Sequence, residues 1–550
     1  MRRRLPIAII FLSGVFFFHL TWFPPFAAQA EAGATWYVDD DAPNDPGPGT
    51  TTVSDLDEDG TPDHPFDAIQ EAIDAASDGD TIIVRDGTYT GGGNRDIDFK
   101  GKAVHLMSEN GPENCVIDAQ GTEAEEHRGF VFQNGEGEDS IVNGFTITGG
   151  YAYHVGSTFW GAGMGGGVLY ALNSSPTLMN NTITGNSGGG VFPWHAGACV
   201  IVNNIIALNT GVGIRYGQGA TVTGNTIIGN TGAGIGMYFS SGTIANNMIT
   251  GNSPGIAIHY SSATIVNNTI VDNTFNWAGA GIQLVGSNGG LATIAGNIIT
   301  GNTTLDAFGG GFACTSLYTL TITNNIIARN SATGENAYGG AMYIGVSATG
   351  TIANNTIVDN TAEVSGGGIV CHSSNVSITN NILWGNNGNL EVCTATYSCV
   401  ENGAAGVGNI DANPLFADPD NDDYHLKSEA GRWSPAANGG AGGWVYDDVT
   451  SPCIDAGDPA SAYDNEPQGN GARVNMGAYG NTVEASRTSI FGDVTGDCHV
   501  NILDMIAVRN HLGQDVVTGD NWRYDLTDDG RINILDMLVV RDNLNMTCTE

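Results

Sequence analysis

The chain has 550 residues, 58 acidic against 18 basic, for a formal net charge of −40. A surface that negative repels nucleic acid and anionic membrane and excludes both as expected partners. Eighty glycines describe a chain that turns often, yet the regular apolar spacing set out below excludes disorder.

Arg2 to Arg4, an apolar run from Leu5 to Phe23 and Ala28-Gln29-Ala30 form the basic, apolar, small-x-small order of a secretory leader. Residues 1–30 are therefore expected to be removed on export, the alternative being an uncleaved membrane helix. No later apolar stretch is long enough for a bilayer, so the mature chain is expected to be extracellular or cell-surface associated, without a membrane span. Nine cysteines allow disulfides whose pairing the sequence does not reveal.

Residues 31–80 read as a cap. Asp55, Asp57, Asp59, Gly60 and Asp63 make a D-x-D-x-D-G-x-x-D run, the alternation that turns oxygen ligands toward calcium. Phe66 stands at the twelfth place, where an acid is expected, so a merely solvated acidic loop is the competing reading. Pro65 then opens a pattern that puts Phe66, Ile69 and Ile73 on one helical face, Asp78-Gly79-Asp80 ends it, and Thr81 to Val84 reads as a strand. With Gly87-Thr88-Tyr89 after it, this stretch resembles the N-terminal cap of pectate-lyase-like right-handed parallel β-helices. The resemblance implies first coils around Val104–Met107, Val116–Asp118 and Phe130–Phe132.

From Asn180 one phrase, Asn-Asn-(Thr/Ile)-Ile-x-x-Asn, occurs nine times at steps of about 21 to 30 residues, the signature of a solenoid. Three β-rich runs per period leave no room for helices, so each run is expected to pair in parallel with its copy in the next coil. Ile183, Ile206, Ile227, Ile249, Ile270, Ile298, Ile326, Ile357 and Ile382 are expected to stack inward. The turn asparagines, such as Asn186, Asn209, Asn230, Asn252 and Asn273, are expected to bond one another and the backbone, a structural role. Residues 81–400 resemble the parallel β-helix repeats of carbohydrate-binding and sugar-hydrolase proteins. The implied class is all-β, a right-handed parallel β-helix solenoid with an N-terminal capping helix, plus a small α-helical, EF-hand-like module. Lyases, hydrolases, epimerases and adhesins share this fold, so it leaves activity open.

The longer steps carry insertions at one turn: 151–165, 275–278, 305–308, 335–338 and 363–365. They are expected to build a wall bearing Tyr151, Tyr153, Trp160, Trp277, Phe308 and Tyr338. In the strand that follows, Val191, Ile214, Ile235, Ile256 and Ile282 should point inward. Phe192, Arg215, Gln283 and Tyr343 then point out, as do Trp194, Tyr238, His259 and His372 two places on. A polysaccharide site is expected at Trp160, Phe192, Trp194, Arg215, Tyr238, His259, Trp277 and Tyr343, because sugar rings have apolar faces and polar rims. The alternative is that the insertions bury this ladder as a second core.

A lyase needs a base and a cation, a hydrolase two carboxyls at set separation. Within the repeats only Arg215 and Arg329 carry a permanent positive charge. His259 with Arg215 is the candidate base and cation. Arg329 and Asp359 read as a surface ion pair, and Cys314 and Cys371 as inward residues two coils apart. An enzyme, a polysaccharide lyase or glycoside hydrolase, and a non-catalytic surface or matrix protein both remain open.

Residues 401–489 lose the period as Pro, Asp and Gly rise; they resemble the closing region and linker of exported β-helix proteins. In 490–550, two twelve-residue loops align without a gap. Their places 1, 3, 5, 9 and 12 are Asp493, Thr495, Asp497, Asn501 and Asp504, then Asp525, Thr527, Asp529, Asn533 and Asp536. With the place-7 carbonyls of His499 and Arg531 these form the oxygen shell calcium prefers. Each leads into an apolar-patterned helix, Met505 to Leu512 and Met537 to Leu544. The pair resembles a type I dockerin. That implies two Ca2+ ions, a cohesin-domain partner and contact through Ile502, Leu503, Ile534 and Leu535 in two nearly equivalent orientations; the competing reading packs those four in the module's core. Cys498 replaces the expected place-6 glycine, which weakens loop one, and could clasp Cys548.

Overall fold

The computed structural model describes residues 33–41, 58–152, 166–171, 174–194, 197–216, 219–286, 288–467, 471, 473–488, 492–495, 499–516, 521, 524–527 and 529–545. The expected leader, Asp55, Asp57, Tyr153, Trp160, Asp497, Cys498 and Cys548 lie outside them.

Three parallel sheets run the length of the solenoid, one strand from each coil entering each sheet. The first has 14 strands, from Thr35–Val38 to Ala395–Thr396; the second has 13, from Gly87–Thr90 to Cys399–Val400; the third has 11, from Phe130–Phe132 to Leu390–Glu391. In the second sheet Ile183, Ile206, Ile227, Ile249 and Ile270 pair in register and are buried, as expected. The column then continues through Ile299, Ile327, Ile357 and Leu383. Ile298, Ile326 and Ile382, expected to point inward, are one residue out of phase and lie on the outer face. Side-chain direction has a period of two, so the fourth place of the phrase is the inward one whichever residue fills the third.

The phrase has a reason at each asparagine. Its first place adopts left-handed backbone, as at Asn203 (φ 56) and Asn246 (φ 56), which explains why glycine alternates there at Gly224 and Gly296. Its second and last places form two buried columns. Asn204 Nδ2 donates to Asn225 Oδ1 (3.0 Å), as does the Asn204 backbone N–H (2.8 Å), and Nδ2 also reaches the Leu178 carbonyl (3.0 Å). The Asn209–Asn230–Asn252–Asn273 column repeats the scheme. A neutral amide whose donors and acceptor are all met can be buried without a counter-charge.

Over the open end lies a helix, Ile69–Ala75, burying Ile69, Ala72 and Ile73. Phe66 is not on that helix: it bridges Val38 and packs against Trp36 at 5.9 Å. The strand Thr35–Val38 extends the first sheet beyond Thr81–Val84; four residues of TWYV offer too short a pattern to announce it.

The turn that carries the insertions holds more than a wall of loops. Thr274–Phe275, Thr303–Leu305, Ser331–Thr333 and Thr361–Ala362 pair as a fourth parallel sheet, beside a small core of Ala332, Ala337 and Ala362. The later coils are long because each carries an additional strand.

Residues after Val400 fold back over the outer face of the second sheet. Tyr424 and Ala478 pack on Ile326, Ala328 and Val358, while Leu426, Cys453 and Met476 pack on Ile382 and Cys399. Asn324 Nδ2 donates to the carbonyls of Ala478 (3.0 Å) and Gly480 (2.8 Å). This region also takes Arg329, which pairs with Asp422 and donates to Tyr424 Oη (2.9 Å), not with Asp359 as its column suggested. No helix among the described residues is long and apolar enough to cross a membrane.

Candidate functional site

Alternation in the third sheet places Val191, Ile214, Ile235, Ile256 and Ile282 inward and buried. The outward column after them holds Phe192, Arg215, Gly236, Ala257, Gln283, Ala313, Tyr343, Val370 and Glu391. Gly236 is the residue that shapes it. A Cβ there would meet the Tyr238 ring at 2.9 Å, so the missing side chain lets that ring fold back into the slot beneath Arg215.

The result is one file along the solenoid axis. The Arg215 guanidinium lies over the Phe192 ring (4.9 Å) and the Tyr238 ring (4.6 Å), and Tyr238 stacks on His259 at 4.8 Å. His259 bonds the Gln283 side chain, whose Nε2 donates to the Ala278 carbonyl (2.8 Å). Burial pulls the Arg215 pKa down, with Tyr238 opposing. It also pulls His259 down despite its Gln283 bond, so the imidazole is neutral at neutral pH. Burial pushes the Tyr238 phenol up against the opposing pull of Arg215.

This packing corrects the picture of an open row of sugar platforms. Phe192 is only 4% exposed and Gln283 is buried; the ring faces are occupied by neighbours, leaving ring edges and polar atoms outward. Such an edge offers hydrogen bonds to hydroxyls and carboxylates more than stacking area. Trp277, on the insertion, is 45% exposed and has room to stack. Farther along, Tyr343 packs between Phe308 (4.2 Å) and His372 (6.5 Å). The Trp194 side chain lies outside the described residues. Glu391 is the single carboxylate of the outward column, and it accepts from Ser365 Oγ. Cys314 and Cys371 stand in one column with Ile344 between them.

At the N-terminal cap, Asp59 Oδ1 accepts from the Thr61 N–H (3.0 Å). The structure gathers a different set nearby, Glu58, Asp67 and Glu71, with ligand atoms within 4.8 Å of one another. Burial, then the Asp67 carboxylate, pushes Glu71 up to about 8. Sequence spacing pointed to the aspartates and missed this set, whose members meet only when the helix folds.

In the C-terminal module, helices Ile502–His511 and Ile534–Asp542 start three residues earlier than their apolar pattern, capped by Asn501 and Asn533. Asp504 Oδ1 accepts from the Thr495 N–H (3.0 Å) and Oγ1 (2.8 Å), Oδ2 from the Asn501 N–H (2.8 Å). Asp536 repeats this with Thr527 and Asn533. Asp525 accepts from the backbone of Asp529 and Gly530. Both place-12 carboxylates are fully buried, and the ion pairs of the described residues include neither. A buried carboxylate without a cationic neighbour is costly, so these loops fit a bound divalent cation. The ninth-place oxygens, by contrast, already accept from the Leu503 and Leu535 N–H groups. The module's core is Val494, Val500, Val508, Ile532 and Val540. Ile502, Leu503, Ile534 and Leu535 lie outside it, 61, 53, 60 and 50% exposed.

Family models match three stretches: a right handed beta helix region at residues 143–297, disaggregatase related at 264–457, and dockerin type I domain at 491–545. The chain is a right-handed parallel β-helix protein with a C-terminal type I dockerin. No curated protein matches it significantly.

Solved structures similar to this dockerin-bearing β-helix include the A-module of the Azotobacter vinelandii mannuronan C-5 epimerase AlgE6. It is 17% identical with a TM-score of 0.38, covering 63% of this chain and 94% of the other. Pectate lyase Pel9A is 15% identical at 0.34, covering 82% and 97%. PfbA, a surface adhesin of Streptococcus pneumoniae, is 14% identical at 0.32, covering 69% and 95%. None of these likenesses carries chemistry to this chain.

Proposed function

We propose that this protein is an exported, cohesin-anchored solenoid that holds a polysaccharide along its third sheet. The anchoring half rests on the dockerin, whose kind attaches to cohesins. Calcium at both loops, one ion each, organises it, and Ile502, Leu503, Ile534 and Leu535 form the contact surface. The binding half rests on one observation, the axial file Phe192–Arg215–Tyr238–His259–Gln283. A chain of sugars lying along the solenoid meets a cation, a phenol and a neutral imidazole on successive coils, the imidazole held from behind by the buried Gln283 amide. Trp277 supplies an exposed ring beside them.

The same file supports binding over hydrolysis. Two carboxyls at a set separation are needed for glycoside cleavage, and the outward column among the described residues holds only Glu391. Neutral His259 can accept a proton beside the Arg215 cation, so elimination at an acidic sugar is the one reaction these groups could serve. Incubating the purified full chain with uronate-containing and neutral polysaccharides tests both halves of that statement. Retention on a glycan, weakened about 10-fold by Arg215→Ala, supports the site; unsaturated products would add lyase activity. An absence of binding across a broad panel would refute it.

A further inference from the structure

The described cysteines divide by position. Cys115, Cys199 and Cys314 lie singly inside the solenoid, where burial pushes the Cys199 thiol up to about 12 and the Cys314 thiol up to about 11. The other four meet in pairs at the C-terminal end.

Cys371 faces inward from the third sheet, its neighbours pairing Ile369 with Leu390 and Val370 with Glu391. Continued alternation would put Val392 opposite Cys371. Val392 instead adopts left-handed backbone (φ 57) and lies exposed, which turns Cys393 into the core against Cys371. The two thiols share a hydrogen bond, and Cys393 Sγ also donates to the Glu391 carbonyl (3.2 Å).

Cys399 stands on the outer face of the second sheet, paired with Ile382. It is the last residue of the column onto which the C-terminal region folds. Opposite it, in one buried cluster with Leu426 and Met476, is Cys453. Both are fully buried, and their thiols share a hydrogen bond. The members of each pair are thus neighbours in the fold, the proximity that a disulfide requires.

We propose that the mature protein carries two disulfides, Cys371–Cys393 and Cys399–Cys453, the first closing the last turn of the solenoid and the second stapling the C-terminal region onto it. Each forms by thiol–disulfide exchange. The pair gives up two protons and two electrons to a disulfide-bearing oxidant, whose own S–S bond becomes two thiols. The three solitary cysteines stay reduced because none has a partner thiol in reach among the described residues.

The second bond bears directly on the fold. Residues 401–488 have little repeat structure of their own and are held to the solenoid by a modest apolar patch and a few hydrogen bonds. A bond from Cys453 to the last coil removes much of the freedom of the unfolded segment between them.

Peptide mapping of the full chain, equilibrated in a glutathione redox buffer and alkylated without reduction, decides the matter. The buffer makes the result independent of whether the leader exports the chain. Cleavage after glutamate yields peptides 364–391, 392–401 and 430–484, and the middle one holds both Cys393 and Cys399. The expected product is all three joined. Cys393→Ser releases 364–391 alone, and Cys399→Ser releases 430–484 alone. Reductant should lower the unfolding temperature by several degrees, and Cys399→Ser should reproduce the second bond's share of that loss, the remainder appearing when the variant is reduced. Three unlinked alkylated peptides, or a link from either pair to Cys314, would overturn the proposal, and mapping of the wild type suffices even where a variant fails to fold.

Discussion

The solenoid and the dockerin bury polar groups in opposite ways. In the asparagine columns every buried amide is neutral and bonds to its copies above and below, so the structure is complete in itself. In the dockerin the buried groups are the carboxylates of Asp504 and Asp536, to which the described residues bring N–H and O–H donors but no charge. One region satisfies its interior by repetition, the other by recruiting an ion. Repetition builds a rigid surface indifferent to conditions; recruitment makes a joint that responds to them.

The sharpest way to break that contrast is to remove the ion. Chelation, or Asp504→Ala with Asp536→Ala, is expected to weaken cohesin binding roughly 1,000-fold, about 4 kcal/mol, while far-ultraviolet circular dichroism of the β-helix stays unchanged. Surface plasmon resonance on an immobilised cohesin reads the first effect.

Nearly as large is the cost of interrupting a column. Asn252→Leu strands the N–H and Nδ2 of Asn230 and the two carbonyls Asn252 itself bonds. Urea unfolding should show a loss of about 3–5 kcal/mol. Asn246→Gly, at a left-handed turn (φ 56), should cost no more than about 0.5 kcal/mol.

Between these extremes lies the C-terminal region, where charge is buried with incomplete compensation. Burial pushes Asp455 and Glu466 each up to about 7. Their folded values lie above their unfolded ones, so their contribution is full near pH 4 and lost as pH rises through 7. His425 acts in the same sense: burial pulls it down, but the Asp423 and Glu484 carboxylates outweigh that and raise it. The unfolding temperature of this region should therefore fall as pH rises from about 4 through 7, and Asp455→Asn with Glu466→Gln should flatten the slope.

Smaller again is the effect at the ladder, where Arg215→Ala should weaken glycan retention about 10-fold, since a single cation and its bonds are lost. Smallest is damage to one docking face. Ile502→Asp with Leu503→Asp leaves Ile534 and Leu535 intact, so cohesin affinity should drop only about twofold; changing all four should abolish it.

The period of about 21 to 30 residues and the two calcium loops were legible because each depends on spacing within one chain segment. Register was less so: the phrase has Ile at both its third and fourth places in Gly296–Asn302 and Asn324–Asn330, and composition alone does not say which turns inward. Thr303–Leu305 and Ser331–Thr333 do not read as strands because runs of three residues, two of them Thr or Ser, resemble turns until their copies pair. The partners of Arg329 and Cys399 lay hidden in residues 401–488, which meet the solenoid only through long-range packing. The ladder's positions were visible, but its closed stack was not, because that needs the empty place at Gly236.

An ion-dependent anchor joined to an ion-independent binding face is tested by one paired measurement. The full chain is applied to a glycan array and to immobilised cohesin, with calcium and then with chelator. Chelation is expected to abolish cohesin capture and leave glycan retention intact; loss of both together, or survival of cohesin capture, would contradict this division.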